Sequence, residues 1–181
     1  MLRITTLSVL ILAAGSVVST AATTELKTVD SVDLDRYLGT WYEIASYPAW
    51  FQRNCTAVKA VYARRDDGLI SVVNSCRKHT LDGKLKKADG KARIVDPENN
   101  ARLKVSFFGP FWGPYWIIDL DADYGWAVVG VPNRKYLWIL SRTPELDGKT
   151  YAGILERLAD QGYDPNRLEK TLQPMATDTR P

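Results

Sequence analysis

Six Trp, nine Tyr, four Phe, two Cys and a single His carry the distinctive chemistry of this 181-residue chain. His79 lies on a lysine-rich stretch beside a predicted turn, and no second nitrogen or thiolate stands at metal-ligand spacing from it. It reads as a solvated turn residue, and no metal is expected. No serine-centred elbow or glycine-rich phosphate loop occurs. The acids cluster in turns, where they cap and solvate more often than they do acid–base work. With no poised group in view, the expectation is no enzyme, no catalytic residue and no cofactor. Cys55 and Cys76 are the pair with covalent chemistry. In an oxidising compartment an even pair favours a disulfide, and a closed loop of about twenty residues contributes on the order of 3 kcal/mol. Two buried free thiols, or a reactive thiol, are the alternatives.

An export signal supplies that compartment. Arg3 gives residues 1–22 a positive start, Leu7 to Ala14 an apolar stretch, and Ser19-Thr20-Ala21 a small-residue cleavage site. The apolar run is too short to span a bilayer as a helix, so the mature protein is expected to be soluble. Loss of Arg3 takes the formal charge from +3 to +2, with acids and bases interspersed. No basic face stands out, so nucleic acid is not an expected partner.

Turn signals recur between residues 40 and 142. They are Asp66-Asp67-Gly68, Asp82-Gly83, Asp89-Gly90, Asp96 to Asn100, Gly109-Pro110 with Gly113-Pro114, Asp121 to Gly125, and Pro132 to Lys135. Short runs rich in Val, Ile, Tyr, Phe and Trp lie between them, with Leu103, Val105 and Phe107 alternating against Arg102, Lys104 and Ser106. The pattern predicts an all-β fold, an eight-stranded antiparallel up-and-down β-barrel wide enough for one small ligand. After Arg142 the period changes. Tyr151, Ile154, Leu155 and Leu158 recur at helical spacing, with Gly162 as a stop, which predicts a C-terminal α-helix packed outside the barrel. Asp164-Pro165 resembles a second short helix start, and residues 175–181 a tail. One domain over residues 31–174 is expected.

Two segments a hundred residues apart, Gly39-Thr40-Trp41-Tyr42-Glu43 and Leu137 to Arg142, resemble the first and last signature motifs of the lipocalins. Leu103 to Tyr115 between them is similar to the bacterial outer-membrane and apolipoprotein D-like branch of that family. The resemblance places Trp41 and Arg142 at the closed end, where a guanidinium can lie flat across an indole. Asp121-Ala122-Asp123-Tyr124 keeps the Asp and Tyr of the middle signature and lacks its Thr. Gly39, Trp41, Asp121, Tyr124 and Arg142 are thus the expected structural motif. Many bacterial relatives carry a lipoprotein box ending in an acylated Cys. Leu12 to Ser16 has its shape, but Ser16 stands where the Cys would be, so a periplasmic or secreted protein is expected, with outer-membrane association left open.

The resemblance implies binding, storage or transport of a small hydrophobic ligand, a fatty acid or lysophospholipid, in envelope maintenance and stress. Tyr47 to Phe51 should form a loop at the open mouth whose Trp-Phe pair tucks under as a lid. Strand alternation sends part of the Phe107 to Trp116 set inward, and Tyr136 and Trp138 share parity with Leu140. The expected ligand contacts are Trp50, Phe51, Phe107, Trp112, Tyr115, Tyr136 and Trp138. A thiol-based or isomerase enzyme on the same barrel, and a structural envelope protein without ligand, are the alternatives. Monomer or homodimer, and peripheral membrane contact, stay open.

Overall fold

The computed structural model describes residues 25–175. The expected signal peptide, its cleavage site and Ser16 lie outside them, as does the tail beyond Met175. A single helical turn, α1 (Leu34–Tyr37), is capped by the Asp33 side chain, which accepts from the backbone of Asp35 and Arg36. Eight strands follow as a meander: β1 (Gly39–Ser46), β2 (Cys55–Arg64), β3 (Ile70–Lys78), β4 (Leu85–Ile94), β5 (Arg102–Phe108), β6 (Phe111–Leu120), β7 (Trp126–Gly130) and β8 (Leu137–Ser141). Each pairs antiparallel with the next, and β1 pairs with both β2 and β8, which closes the barrel. Helix α2 (Gly148–Asp160) follows, capped where Asp147 accepts from the Thr150 amide, and the chain returns as a two-residue strand, β9 (Glu169–Lys170), on the edge of β1. This ninth strand is an addition to the eight expected. Asp164-Pro165 opens only a 3-10 turn, Pro165–Arg167, again with an Asp cap.

Two cores result. Inward residues of the barrel, among them Trp41, Tyr62, Leu103, Tyr115, Ile117 and Leu140, form one cluster. Ala45, Ile118, Val128 and Ile139 form the other with Ile154 and Leu158, which α2 lays against the outer wall. Val128 and Val129 are sequence neighbours in different cores. A strand covered on both faces reads as a continuous apolar run, which is why residues 127–131 do not alternate.

Two expected turns are strand. Asp89-Gly90 lies inside β4, with Gly90 opposite Val72. A Cβ there would meet the Phe107 ring at 2.7 Å, so the glycine makes room for an aromatic rather than for a turn. Gly113-Pro114 lies inside β6 beside a register shift in the β5–β6 pairing, where a residue without an amide proton is tolerated. The β5–β6 turn is Gly109-Pro110 alone.

A meander puts the β1–β2, β3–β4, β5–β6 and β7–β8 connections at one end of the barrel. The other three, with α1, lie at the opposite end.

Candidate functional site

The α1 end is sealed. Arg142 lies over Trp41, its Cζ 3.8 Å from the ring centroid. Its guanidinium donates to the carbonyls of Thr40 (2.9 Å), Tyr124 (3.3 Å) and Arg36. Trp41 donates in turn to the Tyr37 carbonyl at 2.8 Å. Tyr124 accepts from the Asp33 amide, and the Asp121 carboxylate accepts from the Gly125 amide. Stacking and hydrogen bonds thus join α1, β1, β8 and the β6–β7 turn.

Above the seal three tyrosines meet. The Tyr115 hydroxyl lies 2.8 Å from that of Tyr37 and 2.9 Å from that of Tyr62, all three rings buried. Burial pushes the Tyr62 phenol up to about 12 and those of Tyr37 and Tyr115 well above the usual range, so all three are neutral. Three hydroxyl protons share two contacts, which leaves one O–H donor without an acceptor among the described residues. Asn74, on β3 at the same parity as Val72, has a buried Oδ1 with no partner among the described residues. The floor is therefore apolar surface carrying one spare donor and one spare acceptor.

Toward the mouth, Ala60, Val105, Phe107 and Trp138 are packed against the inner core yet only partly buried. Tyr136 stacks on Trp138 at 5.8 Å, and Phe51 lies 5.6 Å from Tyr136. Glu43 shares the parity of Trp41 and is 4% exposed. Its Oε1 accepts from Thr171 (2.6 Å) and Ser46 (3.1 Å), and its Oε2 from Gln52 (2.6 Å). The Trp138 indole, which can only donate, gives its proton to Gln52 Oε1 at 3.0 Å. That fixes the amide so that its NH₂ faces Glu43. Burial, outweighing these three donors, raises the Glu43 pKa. A cavity of about 330 Å³ opens beside it, bounded by the mouth loop, Arg53 and β9.

The barrel is sealed at one end and its inward apolar residues toward the other are only partly buried, and comparison with known proteins decides the family. The family model for lipocalin-like domains matches residues 32–173. The chain belongs to the lipocalins. It is 44% identical to the outer membrane lipoprotein Blc of Citrobacter freundii, over 82% of this chain and 83% of that one. It is 39% identical to temperature-induced lipocalin-1 of Arabidopsis thaliana, over 87% and 86%. Insecticyanin from the tobacco hornworm Manduca sexta shares the fold, with a TM-score of 0.68 at 21% identity, covering 83% of this chain and 86% of that one. Lipocalins are in general binding and transport proteins for small hydrophobic ligands.

In this lipocalin the residues named from sequence part company. Phe107, Tyr115 and Trp138 line the interior, and Phe51 and Tyr136 continue that aromatic set at the rim. Trp112 is on the outer face, between Arg93 (4.7 Å) and Lys91 (5.8 Å). Trp50 does not tuck under: it is 72% exposed and meets Phe51 edge-on. In the three-residue 3-10 turn Trp50–Gln52, Gln52 is held by Glu43 and Trp138 while Trp50, at the start of the turn, stays in solvent. Cys55 and Cys76 are joined as a disulfide between β2 and β3, so the thiol that a thiol-based enzyme would use is taken up. His79 is exposed, with left-handed backbone at the end of β3.

Tyr37, Tyr62, Asn74 and Gln52 were not among the residues named from sequence, and Glu43 was named only as part of the first motif, with no site role. For Glu43 a signal existed: an acid two residues from Trp41 shares its inward parity, and a buried acid is rare without a role.

Proposed function

We propose that this lipocalin carries one single-chain lipid, a fatty acid or lysophospholipid, with its acyl chain in the barrel. The observation that supports this reading is that Ala60, Val105, Phe107 and Trp138 face inward above a sealed floor and are still reached by solvent. Apolar surface turned inward but not covered by the protein itself is surface for a ligand to cover. About ten buried methylenes at ~0.8 kcal/mol each supply roughly 8 kcal/mol. Part of that is lost in immobilising the ligand, so the expected affinity is micromolar. The export signal expected over residues 1–22, with Ser16 in place of an acylatable Cys, supports a periplasmic or secreted carrier.

Titration with saturated fatty acids, following Trp fluorescence, tests the reading. Affinity should climb with chain length until the barrel is full. Affinity flat across chain lengths, or no response to any lipid, would leave a structural protein as the better reading.

A further inference from the structure

We infer that the barrel selects an acyl chain with a hydroxyl near its middle, which accepts from Tyr62 and donates to Asn74. The inference rests on the acyl-chain reading and goes further, to the chemical class of the chain.

Tyr62 and Asn74 are one diagonal step apart on the inner wall. Tyr62 on β2 stands opposite Val72 on β3, and Ala60 stands opposite Asn74. Such diagonal neighbours lie about 7–8 Å apart, a gap that one hydroxyl group bridges. On its other side Asn74 stands opposite Ala88 of β4. The two alanines leave the amide without tall neighbours in its row. Ala60, Asn74 and Ala88 share inward parity and are only partly buried, whereas Tyr62, Val72 and Tyr115 are buried. The row thus borders the open part of the lumen, one step nearer the mouth than Tyr62.

Proton counting sets what each group lacks. The Tyr37–Tyr115 and Tyr115–Tyr62 contacts use two of the three phenolic protons, so the third is given at one end of the chain. One end is Tyr37, on α1 at the sealed floor; the other is Tyr62, beside Asn74. With Tyr37 donating to Tyr115 and Tyr115 to Tyr62, the Tyr62 proton is left for the lumen. Asn74 Oδ1 is buried and accepts from none of the described residues. A donor and an acceptor one step apart are together what a single hydroxyl satisfies: its oxygen takes the Tyr62 proton and its own proton goes to Oδ1. The terminal torsion of an Asn side chain is soft, so Oδ1 can turn to meet it. A methylene at that height covers both groups and pairs neither, which is costly for buried polar atoms. A ketone pairs Tyr62 and leaves Oδ1 without a proton.

The depth of the row fixes where on the chain the hydroxyl belongs. Strand β3 runs from the closed end to the mouth and ends at Lys78. Asn74 is therefore roughly 14 Å of strand below the mouth, at about 3.4 Å per residue. A carboxylate kept in water at the mouth puts the middle of a long chain at that depth, not its first carbons. Ala60, Asn74 and Ala88 carry no charge, so a neutral alcohol suits the row where a second carboxylate or an amine does not.

The test titrates a long saturated fatty acid, its derivatives hydroxylated at mid-chain or beside the carboxyl group, and the mid-chain ketone, all read by Trp fluorescence. The mid-chain alcohol should bind about tenfold tighter than the parent acid. The ketone should fall between them, and the alcohol beside the carboxyl group should bind no tighter than the parent. Asn74→Leu should reverse the order, tightening the parent acid and weakening the mid-chain alcohol, a crossing that general loss of structure cannot produce. Tyr62→Phe should reduce the preference as well, and the double variant should lose little more than either single one, because both act on one hydroxyl. A mid-chain alcohol that binds no tighter than the parent in the unaltered protein overturns the inference, whatever the variants do. So does a preference that survives Asn74→Leu, or one that is the same for both hydroxyl positions. If neither the parent acid nor any derivative binds, the acyl-chain reading falls and takes this inference with it; if the parent binds and the hydroxyl makes no difference, only the inference falls.

Discussion

Arg142 and Trp41 are 101 positions apart, yet the guanidinium sits 3.8 Å above the indole and closes the barrel's end. The stack is one of four contacts that Arg142 makes, the others being carbonyls of Arg36, Thr40 and Tyr124. Arg142→Ala should lower unfolding free energy by roughly 1–3 kcal/mol, from lost stacking and newly exposed ring. Arg142→Lys should recover little, since an ammonium neither stacks flat nor forks to three acceptors. Urea denaturation of the three proteins decides this. A collapse of ligand affinity with unchanged stability would make Arg142 a ligand contact instead of a seal.

That stack was legible in the sequence through the two signature-like segments that carry the family resemblance, and the residue types agree with it, since a planar guanidinium lies flat across an indole. The strand meander was legible because turn residues and alternation are local. Gly90 was not. Its neighbour Asp89 makes a turn signal, and only the approach of Phe107 from another strand shows why glycine is there. Strand β9 was not legible either, because two exposed residues carry no period. Glu43 could be placed on the inner face, but its partners are Gln52 from a loop and Thr171, 128 residues away. The register shift after Glu43 lets Ala45 turn to the outer core while Glu43 stays inward, and alternation alone cannot show that shift.

The tyrosine cluster depends on its middle member. The Tyr115 hydroxyl contacts both other hydroxyls, and among the described residues those of Tyr37 and Tyr62 have no other hydrogen-bond partner. Tyr115→Phe should therefore leave two buried hydroxyls unpaired and cost about 1–3 kcal/mol. Tyr62→Phe keeps the Tyr37–Tyr115 contact and should cost about 1 kcal/mol or less. Thermal and urea unfolding would compare them. Equal losses would mean that ring packing, not the hydroxyl chain, sets the energy.

The Cys55–Cys76 disulfide joins residues 21 apart and anchors the strand that leaves the mouth loop. Reduction, or paired Ser substitution, should lower stability by about 3 kcal/mol. Alkylation of unfolded, unreduced protein should label neither cysteine. Labelling at both would sink the assignment and bring back the thiol-based alternative.

Glu43 should leave its mark on the pH dependence of stability. Burial raises its folded-state pKa above the reference 4.5, with the donors Thr171, Gln52 and Ser46 pulling the other way. A carboxyl raised on folding binds its proton more tightly in the native state than in the unfolded one. Its contribution is therefore full below about pH 4.5 and is lost as pH rises toward the folded-state pKa, after which it is level. Glu43→Gln removes that proton from the balance. The stability of the unaltered protein minus that of the variant should thus fall as pH rises above about 4.5, and flatten once pH has passed the raised folded-state pKa. Chemical denaturation across that range, with both proteins in the same buffers, gives the difference directly. A difference that climbs with pH would mean that the three hydrogen bonds outweigh burial and that the carboxylate is the form the fold prefers.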